Sequence, residues 1–151
     1  MSQALEVSAP SLTADLYVQV QTFYAKQMRL LDSLQIDKFA ETFTEDGVVV
    51  HASRNERAEG REEMVAGMRA ALPRYAGIAV RHWFDKLLVE PVDAETVNVS
   101  YYTLVSRTQV DGRVMFEPTF TVEDVLVWRD GTLFTKSRVI HRDTPVNPLV
   151  V

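Results

Sequence analysis

Residues 96–142 read TVNVSYYTLVSRTQVDGRVMFEPTFTVEDVLVWRDGTLFTKSRVIHR, and the fold turns on this stretch. Val, Ile, Tyr, Phe and Thr alternate with polar residues along most of it, the period-two pattern of strands that bury one face. Asp111-Gly112 and Asp130-Gly131 interrupt the pattern. An Asp-Gly pair between apolar runs signals a hairpin, because both central residues of a type I′ turn take positive φ. Strands over about 96–109, 113–128 and 132–142 therefore form an antiparallel meander. Another strand, about 80–90, ends at Pro91.

Upstream the period changes to that of helices. Thr13 is placed to cap a helix of roughly 20 residues, in which Leu16, Val20, Phe23, Tyr24, Leu30, Leu31 and Leu34 recur at helical spacing. A short helix follows over Ile36–Phe43, then a turn at Glu45-Asp46-Gly47 and a short strand, Val48–His51. The charged stretch Ser53–Gly60 reads as a loop. A third helix spans about Arg61–Leu72, with Met64, Val65, Met68 and Leu72 as its apolar stripe. Helices first and strands afterwards give an α+β fold. N-terminal helices pack on a strongly curved, mostly antiparallel sheet and leave a cone-shaped pocket on its concave face. The expected organisation is a loose leader over 1–11, one domain over 12–143 and a tail over 144–151.

The composition narrows the function. With 16 basic and 21 acidic residues the net charge is −5, which argues against nucleic acid or an anionic membrane as partner. There is no cysteine, so a disulfide framework, a thiolate metal site and a cysteine nucleophile are all ruled out. The three histidines, His51, His82 and His141, are not at metal-ligand spacing, and no metal is expected. No glycine-rich phosphate loop is present, so no nucleotide cofactor is implied. The N-terminus has no signal-peptide pattern and no segment is apolar enough to span a bilayer, so the cytoplasm is the expected location.

The segment Phe23-Tyr24-Ala25, Leu30-Leu31-Asp32-Ser33, Phe39 and Phe43-Thr44-Glu45-Asp46-Gly47 resembles the opening of the SnoaL-like branch of the nuclear-transport-factor-like cone folds. Gly60-Arg61-Glu62 and Arg81-His82-Trp83 are similar to that branch too, and the likeness runs from about residue 12 to 143. It implies a cystatin-like α+β roll. Relatives include scytalone dehydratase, polyketide cyclases, steroid isomerases and the β subunits of ring-hydroxylating dioxygenases. In scytalone dehydratase a helix-end aspartate pairs with a strand-opening histidine, and the matching positions here are Asp32 and His82. Its second histidine, on the following strand, has no counterpart in Tyr101–Arg107.

The residues allow the same pairing. Asp32 shares a helix face with Tyr24 and Met28, at i, i+4 and i+8, and a carboxylate on such a face needs a partner if buried. His82 can supply it, keeping one ring nitrogen basic for removing a proton α to a carbonyl. The plainer reading makes Asp32 a solvated helix-end carboxylate and His82 a satisfied sheet residue. Tyr24 is the candidate donor to a developing enolate oxygen, and Tyr101 or Tyr102, on opposite faces of one strand, is another. Candidate substrate contacts are Met28, Phe39, Phe84, Tyr101, Phe120 and Glu123. Of the adjacent Glu123 and Asp124, one points inward as a second acid or as the partner of an arginine such as Arg107 or Arg138. His51 is expected at the surface or pocket rim, and His141 exposed.

The function expected is a lyase or isomerase (dehydratase, cyclase or double-bond isomerase) needing no cofactor and acting on a hydrophobic or aromatic carbonyl substrate, as in secondary metabolism. The alternatives are a non-catalytic β-type dioxygenase subunit and a ligand-binding module. A homodimer or higher homo-oligomer is expected through the outer face of the sheet.

Overall fold

The computed structural model describes residues 10–144; most of the expected leader and tail lies outside the described residues. Helix α1 spans Ala14–Asp32, and the Thr13 hydroxyl caps it by accepting the Leu16 N–H at 3.2 Å. Helix α2 is shorter than the sequence suggests, Ile36–Ala40, because Phe43 already belongs to strand β1, Phe43–His51. The turn expected at residues 45–47 is a bulge inside β1, where the register shifts between Phe43 and Val48. Gly47 fits there because an added Cβ would stand 2.9 Å from the Thr44 carbonyl oxygen.

The expected loop before α3 is a second correction. After one tight turn with Asn55 in the left-handed region (φ 52°), β2 spans Glu56–Glu59 and pairs antiparallel with β1. Its charged side chains suit an exposed edge strand in which Ala58 alone packs inward, too little to show a period-two pattern. Helix α3 follows over Gly60–Ala71.

Strands β3 (Ala79–Pro91) and β4 (Thr96–Thr108) come next, then β5 (Val114–Phe116), β6 (Phe120–Arg129) and β7 (Thr132–Arg142). The strand expected over 113–128 is thus two strands, split around Pro118, which cannot donate to a ladder. Asp130 and Gly131 both have positive φ (49° and 76°), as a type I′ turn requires. At the other pair only Gly112 does (φ 84°). There Gln109 accepts the Gly112 N–H at 2.9 Å and donates to the Arg113 carbonyl at 2.8 Å, a longer turn with a glycine bulge.

The sheet runs β2-β1-β7-β6-β4-β3, with β5 on β4. Only β1–β7 is parallel, so the sheet is mixed and mostly antiparallel, and it does not close. Register shifts in β3 (between Asp85 and Leu88) and in β7 (at Lys136, opposite Val125 and Leu126) add the bends that curl it around the helices. Val20 and Tyr24 of α1 pack on Val97, Val99, Tyr101, Val122 and Leu126 of the inner face. A second cluster joins Met28, Phe39, Phe43 and Met64, and Phe84 touches both.

Candidate functional site

Asp32 is the last residue of α1, where the helix dipole disfavours a carboxylate. Hydrogen bonds from one residue offset that cost. His82, on the inner face of β3, brings Nδ1 within 2.7 Å of Asp32 Oδ1, and its backbone N–H reaches Oδ1 and Oδ2 at 3.2 and 3.3 Å. A carboxylate accepts, so Nδ1 is the donor of this contact, and in a neutral ring that leaves the lone pair on Nε2. The two side chains are 11% (Asp32) and 22% (His82) exposed: desolvated enough to interact strongly, yet open to a ligand.

Deeper in the cone lies a separate polar network. The Asp124 side chain, 0% exposed, accepts from Arg138 Nε at 2.9 Å and Nη2 at 2.7 Å, from Tyr24 at 2.9 Å and from Tyr101 at 3.2 Å. Arg138 also donates to Gln27 Oε1 at 2.7 Å, and Gln27 Nε2 donates to Thr42 and Thr135. Burial pushes both tyrosine hydroxyls well above their ordinary pKa; Asp124 adds to it at both, while at Tyr101 the Arg138 charge opposes the rise without cancelling it. Burial opposes the Arg138 charge, but Asp124 outweighs it and keeps the guanidinium protonated. Such a group is a structural floor rather than a proton exchanger.

The expected residues distribute between these two places. Asp32 and His82 meet as anticipated in space. Tyr24 does not join them: its one hydroxyl proton goes to Asp124, which takes it out of the enolate-donor position expected of it. Met28 and Phe39 are buried in the second apolar cluster. Phe84 and Tyr101 stack with centroids 4.3 Å apart, and Tyr24 meets both rings edge-on or tilted, so the cone's base is filled by aromatic side chains. Tyr101 is the inward tyrosine and Tyr102 the outward one. Phe120 is half-buried on the inner face.

Glu123 is a correction. Alternation puts Asp124 inward, and Glu123 faces outward with its carboxylate 3.3 Å from exposed His141, away from any substrate in the cone. Arg138 is the partner Asp124 takes, while Arg107 pairs with Glu117. His51 registers with Ile140 on the inner face, and burial, then Arg54, lowers its pKa below 6.5. Gln27 was not expected. Its signal was a polar side chain within the Val20, Tyr24, Met28 stripe of α1. Surface concavities of about 490 Å³ between α2 and α3, and about 290 Å³ on the outer face, both lie outside the cone. Among the described residues no group of three His, Asp or Glu side chains is placed to hold a metal, and no helix is long and apolar enough to cross a membrane.

The model of the SnoaL-like domain matches residues 13–139. Aln2 from a Streptomyces species is 42% identical over 89% of this chain and 94% of its own, with a TM-score of 0.82. ActVI-ORFA from Streptomyces coelicolor is 32% identical over 86% of this chain and 98% of its own, with a TM-score of 0.80. A Catenulispora acidiphila protein, solved in complex with S-DNPA, is 38% identical over 86% and 95%, with a TM-score of 0.78. No curated protein matches the chain. The matched domain and these structures support a role in binding or processing a small molecule.

Proposed function

The chain belongs to the SnoaL-like family, and from that premise we propose that it is a lyase or isomerase in which His82, oriented by Asp32, moves a proton on a hydrophobic aromatic ketone. His82 Nε2 takes the proton α to the carbonyl, and Asp32 stabilises the imidazolium that forms. The C–H electron pair becomes the enolate. The proton then returns to one of three places. Delivered to a β-hydroxyl, it leaves as water; delivered to the γ-carbon of an enone, it shifts the double bond; delivered to the alkoxide made when the enolate carbon attacks a second carbonyl, it completes a ring closure.

The observation that carries this reading is the 2.7 Å contact at the end of α1, beside the half-buried Phe84. Tyr24 supports it by packing against Phe84, two residues along β3 from His82. A ligand-bound relative, the Catenulispora acidiphila protein with S-DNPA, supports a small molecule as the occupant. The test is 3-hydroxy-1-tetralone in deuterated water. Deuterium entering at C2 faster than in buffer is expected, with formation of 1-naphthol if the reaction is dehydration. A C2 exchange rate equal to that in buffer would sink the proton-transfer reading.

One observation favours association as well. Trp83 (59% exposed) and Tyr102 (58%) present large apolar surface on the sheet's outer face, which suits a second copy of this chain. Sedimentation equilibrium should give a dimer, and Trp83→Lys with Tyr102→Lys should give a monomer. A monomeric wild type at micromolar concentration would refute this part.

A further inference from the structure

Thr103 lies on the inner face of β4, in register with Phe84 of β3 on one side and Phe120 of β6 on the other. It is 7% exposed, and its hydroxyl oxygen is buried without a hydrogen-bond partner. A buried hydroxyl that has lost its water and gained nothing is uncommon in folded proteins. The polar groups deeper in the cone, from Tyr101 to Gln27, are all bonded. Packing does not explain the hydroxyl either, since valine has nearly the same shape and an equal preference for strands.

The next inner-face residue along β4 is Val105, which pairs with His82. Thr103 and His82 are therefore diagonal neighbours on adjacent antiparallel strands, roughly 7–8 Å apart. One substituted ring spans that gap. Phe84 and Phe120 are half-buried and flank Thr103 in one inner-face row.

We propose that Thr103 is the subsite for a ring oxygen of a flat, oxygenated aromatic ligand, a ketone or a phenol, whose ring lies against Phe84 and Phe120. The hydroxyl donates to a carbonyl oxygen or accepts from a phenol. The ligand supplies the partner that the protein withholds, so an oxygenated ring is favoured over the bare hydrocarbon. Only one part rests on the proton-transfer reading: the carbon beside that oxygen is then the one facing His82.

The test is equilibrium dialysis with 1-tetralone and tetralin, which share a skeleton and differ by the carbonyl. The wild type should bind 1-tetralone more tightly relative to tetralin, by about tenfold. Thr103→Val should abolish that preference and Thr103→Ser should keep it. Thr103→Val should also melt no lower than the wild type, because it removes a group the protein leaves unpaired. A wild type indifferent to the carbonyl, an unchanged preference in Thr103→Val, or a clear fall in its melting temperature would each overturn the proposal. Binding and chemistry fail separately. A carbonyl preference that depends on Thr103, in a protein that exchanges no C2 protons, would remove the role given to His82 and keep the subsite.

Discussion

Asp32 holds His82 at two points, the ring Nδ1 at 2.7 Å and the backbone N–H at 3.2 and 3.3 Å. One contact sets the tautomer. The other ties the carboxylate to the strand itself, so helix end and strand move as a unit. The ring is thus fixed before any ligand arrives, as an acid or base must be to work at a defined atom.

Asp32→Asn keeps the size of the side chain and removes the charge that balances an imidazolium. Turnover should fall by about 10²–10⁴-fold with little change in KM. Steady-state kinetics on any turned-over aromatic ketone measures this. An unchanged kcat in a variant with wild-type circular dichroism would mean that the carboxylate is structural.

The floor of the cone should behave differently. Arg138→Met strands the Asp124 carboxylate in the core with only tyrosine donors, and should destabilise the fold by about 3–5 kcal/mol in urea titrations. Asp124→Leu combined with Arg138→Met removes both charges and should recover much of the loss. If the double variant is no better than Arg138→Met, the pair's geometry matters more than its charge.

How much of this was legible in the sequence follows from where each signal is local. Asp130-Gly131 and the alternation of β4, β6 and β7 act within a few residues, so those elements could be read directly. Strand β2 could not, because a four-residue edge strand with Ala58 as its single inward apolar residue shows no apolar period. Asp32 and His82 were legible through helix phase and family resemblance. The commitment of Tyr24 to Asp124 was not, because it joins residues 100 positions apart. Glu123 was misplaced because two adjacent carboxylates on a strand alternate, and only register decides which one faces in.

His51 offers a test of stability against pH. Burial and Arg54 hold its folded pKa below 6.5, so as pH falls through 6.5 the unfolded chain takes up the proton first. The folded state therefore loses stability from about pH 6.5 downwards, until the folded histidine titrates, and gains nothing above it. His51→Gln should remove that slope. Urea midpoints for variant and wild type should run parallel above about pH 7 and diverge in the variant's favour below about pH 6.5; parallel curves throughout would place His51 in solvent.

Gly47→Ala tests the bulge in β1. The new Cβ would lie 2.9 Å from the Thr44 carbonyl oxygen and 3.0 Å from the Phe43 Cβ, so backbone must move. A loss of about 1–3 kcal/mol is expected from denaturant unfolding. A neutral result would show that the bulge yields freely.

The most direct test of the role given to His82 is deuterium uptake at C2 of 1-tetralone, followed by proton NMR in deuterated water. Wild type should exchange C2 well above the buffer rate, and folded His82→Ala should fall to within a few-fold of buffer. A His82→Ala protein that exchanges as fast as wild type would contradict proton transfer at this histidine.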